Sequence, residues 1–186
     1  MGRRVLFLGP PGAGKGTQAQ LLATALGVPH ISTGVMLREA VAAGTDLGRQ
    51  ADAIMAAGNL VPDDLVVAIV DERLRADDAV CGYLLDGFPR NPEQAAALSA
   101  VAGDDAIDVT VVLDVPTGEL VARLLNRAEL EGRADDNEET IRRRLDVYRA
   151  ETEPLIEHYR ERAVFVDGLG SVEEVFARVA LGMAGT

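Results

Sequence analysis

Two glycines and a lysine near the start of the chain have the spacing of a phosphate-binding loop. Gly9 and Gly14 bracket four residues, Lys15 follows directly, and a mostly apolar run precedes them. Glycines let backbone N–H groups approach an anion, the next helix adds its dipole, and a lysine reaches the outer phosphates as a flexible point charge. An ordinary strand-to-helix turn is the alternative, but spacing, lysine and context together favour a phosphate loop.

The residue after the lysine departs from the general pattern of such loops. That pattern has Ser or Thr in contact with Mg²⁺, whereas this chain has Gly16 followed by Thr17. Asp86 ends another apolar run, where a carboxylate is well placed to hold Mg²⁺ through water. Capping of the turn before Gly87 is the alternative role for this aspartate. The departure indicates a particular branch of phosphate-loop proteins.

Arginines at helical spacing supply further positive charge. Arg123 and Arg127 are four residues apart and share a face of a predicted helix. Arg133 and Arg144 are 11 residues apart, about three turns, and would share a face if the helix extends back that far. Such cations hold polyanions in line and neutralise the charge on a transferred phosphoryl group.

Several other polar residues have an ordinary structural explanation. Arg142 and Arg143 are expected to pair with glutamates one turn earlier, on a solvated helix face, and the alternative for Arg142 is a position that faces the pocket. Ser32 and Thr33 could cap the helix that follows them. Gln94 stands at the third position of a predicted helix, where a capping box is an alternative to ligand contact.

The composition predicts a folded chain with an acidic surface. Of 186 residues, 48% are apolar, and 30 acidic against 18 basic residues give a net charge of −12. The length suits one domain with a sizeable core. The charge argues against partners such as nucleic acid and anionic membranes. A phosphate site here must therefore be a local positive pocket.

Cysteine, histidine and hydropathy patterns exclude several other kinds of site. The single cysteine, Cys81, excludes an internal disulfide and a Cys-rich zinc site, and its apolar neighbours predict burial. His30 and His158 lack metal-ligand spacing, and we predict no functional role for either. The N-terminal apolar run is too short for a signal peptide, and no run reaches the roughly 18 residues of a membrane span. We expect a cytoplasmic monomer.

Apolar strand-like runs alternate with helical patterns, which predicts a parallel sheet with helices on both faces. Strands are predicted at 4–8, 30–31, 80–86, 107–115 and 163–167. Helices are predicted at 15–26, 35–43, 46–57, 63–74, 92–101 and 119–127, and a last one, capped by Ser171, runs to about 183. A polar break is expected at 128–133, followed by a long helix that begins near Asp136, as its N-cap, and is interrupted or kinked near Pro154.

Four motifs, in this order, resemble those of the adenylate kinases. They are GPPGAGKGTQ at 9–18, STG at 32–34, DGFPR at 86–90 and GRADD at 132–136. Order and spacing match that family across essentially the whole chain, and Gly16-Thr17 is normal for it. The resemblance implies an α/β P-loop fold of three layers, with a five-stranded parallel sheet in the order 2-3-1-4-5, forming one domain over 1–186. It also implies a mobile AMP-binding segment at 32–61 and a short lid at 127–133, for which no zinc is expected.

The resemblance implies reversible, Mg²⁺-dependent phosphoryl transfer from ATP to AMP, giving two ADP. A UMP/CMP kinase of the same fold is the alternative. Implied ATP contacts are Gly12, Ala13, Gly14, Lys15, Gly16, Thr17, Arg123, Arg127 and Gly170. Implied AMP contacts are Thr33, Gly34, Arg38, Asn59, Leu60, Val61, Gly87, Phe88, Pro89, Arg90, Gln94, Arg133 and Arg144. Implied catalytic residues are Lys15, Asp86, Arg90, Arg123, Arg133 and Arg144, with Mg²⁺ held through water near Thr17 and Asp86.

Three further observations bear on that function. Most relatives carry an acidic residue where this chain has Val35, which predicts a change in the water shell around Mg²⁺. Thr33 and Gln94 favour adenine over pyrimidine acceptors. A regulatory phosphate-loop switch is the rival from another class, but the Asn-Lys-x-Asp guanine motif typical of GTP-binding switches is missing.

Overall fold

A computed structural model describes residues 3–185, and in them five parallel strands form one sheet in the order β2-β3-β1-β4-β5. The strands are β1 (Arg4–Leu8), β2 (His30–Ser32), β3 (Tyr83–Asp86), β4 (Val109–Asp114) and β5 (Ala163–Asp167). The predicted strand order is thereby confirmed.

Helices pack against both faces of this sheet. They are α1 (Lys15–Leu26), α2 (Thr33–Ala42), α3 (Asp46–Ala56), α4 (Asp63–Leu74), α5 (Pro92–Ala102), α6 (Thr117–Glu131), α7 (Glu138–Val147), α8 (Leu155–His158) and α9 (Val172–Ala184). None of them is long and apolar enough to cross a membrane, within the residues described.

Alternating side chains of the strands build two separate cores. On β1, Val5 and Phe7 belong to one buried cluster, whereas Leu6 and Leu8 belong to the other. The first cluster includes residues of α1, α6, α7 and α9, and the second includes residues of α2 to α5 and α8. Because strand side chains alternate between faces, each strand serves both layers. The three-layer α/β/α architecture predicted from the sequence is confirmed.

Parallel pairing brings three predicted site segments to one edge of the sheet. Phe7 of β1 and Ser32 of β2 are both in register with Asp86 of β3. The glycine-rich loop that follows β1 therefore lies beside the carboxyl ends of β2 and β3. Ligands of open parallel sheets bind at this edge.

The polar break predicted at 128–133 is wrong over most of its length. Helix α6 continues through Glu131 and ends at Gly132, whose φ of +64° is left-handed. Ala128 and the residues up to Glu131 are strong helix formers, and glycine is the usual residue at a helix C-terminus. Only Gly132 and Arg133 separate α6 from a 3₁₀ turn at Ala134–Asp136.

The predicted N-cap of the following helix is also wrong. Asn137 is the N-cap of α7, and its Oδ1 accepts a hydrogen bond from the backbone N–H of Thr140 at 3.0 Å. Arg133 therefore lies outside the helix that carries Arg144. The interruption expected near Pro154 is confirmed, because a π-helical turn ends two residues before it.

Two smaller predictions about the chain between α4 and α9 have opposite outcomes. Cys81, predicted to be buried, is exposed, because β3 begins only at Tyr83. Ser171 caps α9 as predicted, in a capping box with Glu174. The other predicted elements agree with the observed ones to within a few residues at their ends.

Candidate active site

The glycine-rich loop wraps closely around the start of α1. Gly12 has a φ of +86°, and a Cβ atom there would lie 2.9 Å from the carbonyl oxygen of Leu120. Only glycine fits this position without strain. The Lys15 ammonium donates hydrogen bonds to the carbonyl oxygens of Gly9, at 2.7 Å, and Pro10, at 2.9 Å. The loop thus holds the lysine folded back over itself, at the carboxyl edge of the sheet.

Lys15 lies in a strongly positive part of an acidic protein. Burial lowers the pKa of Lys15 to about 8, opposed by the carboxylate of Asp86. The guanidiniums of Arg90, Arg144 and Arg127 lower that pKa further. Four cations therefore converge in a chain of net charge −12. Such a local concentration of one sign of charge attracts polyanions into a cleft.

Asp86 is the buried carboxylate of this cation cluster, with 8% of its surface exposed. Its Oδ2 accepts a hydrogen bond from the Ser32 hydroxyl at 3.2 Å and lies 3.6 Å from Nε2 of His30. Burial alone raises the pKa of Asp86, but His30, Lys15 and Arg90 outweigh burial and hold the pKa below its usual range. The alternative role of Asp86 as a turn cap is therefore not needed to explain its position.

The donor set at this edge fits a hydrated Mg²⁺ ion. A Cβ atom on Gly16 would lie 3.6 Å from Oδ2 of Asp86, so the carboxylate faces the first turn of α1. Thr17, one residue on, is exposed on the same helix. The described residues contain no cluster of three or more acidic, histidine or cysteine side chains that could enclose a metal. An ion held by one carboxylate keeps most of its waters, as Mg²⁺ prefers.

His30 is a contributor to the site that the sequence reasoning missed. Its Nδ1 lies 3.2 Å from Oε1 of Gln20 on α1, and its Nε2 faces Asp86. The ring therefore bridges the helix of the phosphate loop and the buried carboxylate. The spacing of the two histidines did not indicate a role for His30. The pairing of β2 with β3, however, would have placed His30 near the end of β3 that carries Asp86.

An open cleft adjoins the cation cluster. It contains ten of the thirteen implied AMP contacts: Thr33, Gly34, Arg38, Asn59, Leu60, Val61, Gly87, Arg90, Gln94 and Arg144. Phe88 is 1% exposed in the core, Pro89 is buried beside it, and neither lines the cleft. Residues of three of the four sequence motifs, STG, DGFPR and GRADD, thus line one concave surface.

One backbone carbonyl organises the charged end of the cleft. The Gly87 oxygen accepts hydrogen bonds from Nε of Arg90 and the Thr33 hydroxyl, both at 2.7 Å. Burial lowers the pKa of Arg90 and of Arg38, and the guanidiniums of Arg144 and Arg133, respectively, lower it further. Buried guanidiniums that repel one another favour the binding of an anion, because the anion reduces their repulsion and accepts charge-assisted hydrogen bonds.

The capping role considered for Ser32 and Thr33 is wrong. Ser32 is the N-cap residue of α2, but its side chain makes no capping hydrogen bond. Its hydroxyl bonds to Asp86, and that of Thr33 bonds to Gly87. Both hydroxyls therefore support the cleft rather than the helix.

The lining of the cleft also contains a buried amide. Gln94 is 1% exposed, and its Oε1 accepts a hydrogen bond from the backbone N–H of Arg90 at 2.8 Å. Asn91 caps α5 as predicted, through Oδ1 and the Gln94 N–H at 2.8 Å. The reciprocal half of a capping box does not form, because the Gln94 side chain bonds to Arg90 and Asp63 instead. The sequence reasoning gave Asp63 no role.

Asp136 joins two of the predicted arginines in a buried ion cluster. Its carboxylate accepts bidentate hydrogen bonds from Arg127 at 2.6 and 2.8 Å and a third from Arg144 at 2.6 Å. Arg144 also pairs with Asp135 at 2.8 Å. Burial raises the pKa of Asp136, but the two guanidiniums hold that pKa below its usual range.

Three other predicted site residues, Arg123, Arg133 and Gly170, do not line the cleft. Arg123 bonds to Glu119 at 2.8 Å and to the Gly168 carbonyl at 3.1 Å. Arg133 pairs with Glu131 at 2.6 Å. Gly170 lies in the loop between β5 and α9, in the left-handed region at a φ of +113°.

The two arginines expected on a solvated helix face differ in the structure. Arg142 pairs with Glu138 at 2.6 Å, as predicted, with both side chains largely exposed. Arg143 does not pair with Glu139. Its Nε donates to Oδ1 of Asn59 at 2.6 Å, which links α7 to the loop after α3.

Replacing Val35 with aspartate is expected to change the Mg²⁺ concentration needed for half-maximal turnover. Val35 is 43% exposed in the first turn of α2, one turn before Arg38. A carboxylate there would lie one helical turn from Arg38, which lines the cleft, and would stabilise the helix N-terminus by about 0.3–1 kcal/mol. Magnesium titrations of both proteins at fixed nucleotide concentration measure the change, with Val35→Asn as the uncharged control. Superimposable titrations would show that the position is neutral.

Comparison with known proteins agrees with this geometry. Residues 7–164 match the sequence profile of the family described as adenylate kinase. The adenylate kinase of Thermus thermophilus is 51% identical, over 98% of this chain and 99% of its own. That of Thermobifida fusca is 50% identical, over 94% and 95% of the two chains. That of Stenotrophomonas maltophilia is 46% identical, over 98% and 100%. The chain belongs to the adenylate kinase family of phosphotransferases.

Proposed function

We propose that the protein catalyses reversible transfer of a phosphoryl group from Mg·ATP to AMP, giving two ADP. The observation that carries this proposal is the juxtaposition of two anion sites. The Lys15 loop stands at one side of the cation cluster, and the cleft with Arg38, Arg90 and Arg144 opens at the other. A cluster that serves two polyanions suits transfer between them better than simple hydrolysis.

The chemistry follows from this arrangement. An oxygen of the AMP phosphate attacks the γ-phosphorus of ATP, the bond from phosphorus to the bridging oxygen breaks, and ADP leaves with that oxygen. The acceptor oxygen is already anionic, so no general base is needed. Lys15, Arg90 and Arg144 neutralise charge and hold the reactants in line, which supplies most of the catalysis in phosphoryl transfer.

Thr17 and Asp86 would hold Mg²⁺ through its water. When bound, the ion neutralises charge on the β- and γ-phosphate oxygens of ATP. His30 and Ser32 keep the Asp86 carboxylate in place for this role. In the proposal, Arg123, Arg127 and Gly170 serve the ATP side, with the glycine-rich loop of Gly12, Ala13, Gly14 and Gly16.

Two segments are proposed to close around the nucleotides. One is the AMP-binding segment at 32–61, and the other is the lid at 127–133, which the observed end of α6 reduces to the turn around Gly132. Closure would bring Arg133 inward and exclude water, so that phosphate passes to AMP rather than to solvent. The proposal places this activity in the cytoplasm, in a monomer that needs no zinc.

Two assays test the proposed function. With ADP as sole nucleotide, the protein is expected to form ATP and AMP in equal amounts, with a dependence on Mg²⁺. No conversion of ADP, together with slow release of inorganic phosphate when ATP is the sole nucleotide, would instead indicate a regulatory switch. With ATP as donor, AMP is expected to be used faster than UMP, CMP or GMP. Faster turnover with UMP or CMP would reassign the acceptor to a pyrimidine nucleotide.

A further inference from the structure

We propose that Asp63 is a specificity-determining positioning residue, which sets the Gln94 amide to read the 6-amino edge of an adenine base. The inference rests on the proposed function, because it assumes a base in the cleft that Gln94 lines. Asp63 opens α4, just beyond the segment that supplies the cleft residues Asn59 to Val61.

The Gln94 amide has no freedom to turn over. Its Nε2 donates to Oδ1 of Asp63 at 2.7 Å, and its Oε1 accepts from the Arg90 backbone N–H at 2.8 Å. A carboxylate only accepts hydrogen bonds and a backbone N–H only donates them, so the two partners fix opposite ends. A flipped amide would place acceptor against acceptor and donor against donor.

The Asp63 carboxylate is itself held in place. Nδ2 of Asn91 donates to both of its oxygens, at 3.1 Å each. Asn91 is in turn fixed by its N-cap bond to α5. Since Asn91 and Gln94 are 7% and 1% exposed, water does not readily replace these partners.

The fixed Gln94 amide has one unused hydrogen-bonding position on its nitrogen and one on its oxygen. A primary amide offers two N–H groups and two carbonyl lone pairs, and Asp63 and Arg90 use one of each. The free N–H suits the acceptor N1 of adenine, and the free lone pair suits its 6-amino group. Hypoxanthine and guanine present the opposite pattern, an oxygen at position 6 and a hydrogen on N1. Asp63 therefore favours adenine over 6-oxopurines without touching the base.

Asp63→Ala tests this inference, with Asp64→Ala as the matched control. Asp64 lies in the same first turn of α4, carries the same charge, and is exposed. Both substitutions remove one carboxylate from the N-terminus of α4. The difference between their effects on acceptor use therefore reports the contact of Asp63 with Gln94. AMP and IMP, which differ in the group at position 6, are the acceptors, with ATP as donor.

Asp63→Ala is expected to raise the KM for AMP about tenfold and to reduce the AMP-over-IMP preference in kcat/KM by a similar factor. The KM for ATP and the kcat with AMP should stay within about twofold, because Gln94 contacts the backbone N–H of Arg90 and not its guanidinium, which bonds to Gly87. Calorimetric AMP binding should weaken in parallel. Asp63→Asn keeps one acceptor oxygen and should fall between wild type and Asp63→Ala, whereas Asp64→Ala should match wild type.

An unchanged AMP-over-IMP preference in Asp63→Ala would overturn the inference, as would an equal loss in Asp64→Ala. If circular dichroism shows that Asp63→Ala is unfolded, the preference measured in Asp63→Asn decides the question. Failure of the proposed function is distinguishable, because wild-type protein would then transfer no phosphate to AMP at all.

Discussion

Replacing Lys15 with methionine is expected to lower kcat for ATP and AMP by at least about 10²–10³-fold, the usual cost of losing one preorganised charge donor. The Lys15 ammonium bonds to the Gly9 and Pro10 carbonyls, and in the proposed function it is the group that would reach the transferred phosphate. Methionine preserves the length of the stem and removes the ammonium, with its charge and its hydrogen bonds to Gly9 and Pro10. Steady-state assays in both directions measure the loss, and full activity would contradict the phosphate-loop assignment.

The same variant is expected to unfold at a temperature no lower than wild type at pH 7. Folding lowers the pKa of Lys15 from 10.5 to about 8, so the folded state disfavours its charged form. Between these values the unfolded chain binds more protons, and the stability of the wild type therefore rises with pH. The difference in melting temperature between the two proteins should narrow from pH 8 to 10.5. A constant difference would show that the charge does not oppose folding.

Replacing Asp136 with alanine is expected to cost about 3 kcal/mol of folding free energy, the low end for breaking a buried ion pair. Asp136 is fully buried, and its loss would leave the guanidiniums of Arg127 and Arg144 without their shared partner. These arginines are 25% and 20% exposed, so water relieves part of the penalty. Urea unfolding measures the change.

A surface ion pair provides the control for Asp136. Glu138→Ala breaks the exposed pair with Arg142 and should cost no more than about 1 kcal/mol. Folding lowers the pKa of Asp136. The contribution of this carboxylate to folding stability is therefore complete above its unfolded pKa near 3.8 and is lost as the pH falls through its folded pKa. The difference in unfolding free energy between wild type and Asp136→Ala should be constant from pH 7 to about 5 and should become smaller only below that range. Equal losses in both variants would contradict the buried-cluster interpretation.

The fold could be predicted because periodicity and glycine placement agree along the chain. The β-branched run that contains Val109–Asp114 and the helix from Lys15 to Leu26 were recognisable from local pattern alone. The N-cap residue of α7 was not recognisable in this way. Asp136 and Asn137 are both good N-caps, and tertiary contacts with Arg127 and Arg144 decide that Asp136 is buried instead.

The site could be predicted where a motif fixes both residue type and spacing. Lys15, Asp86 and Arg90 belong to such motifs and lie together in the structure. His30 and Asp63 act through other side chains, and no local pattern identifies a residue whose partner is 56 or 31 positions away. Strand register and helix packing, rather than sequence spacing, bring these pairs together.

The single lysine of the chain has a chemical consequence. The sequence has 18 basic side chains, of which 17 are arginines, so Lys15 carries its only side-chain amine. Its pKa of about 8 makes the neutral, nucleophilic amine abundant in mildly alkaline solution. An acylating reagent therefore meets one reactive side chain of this kind, and that side chain lies in the phosphate loop. Acylation measured at Lys15 itself is thus a measurement of loop occupancy rather than of surface exposure.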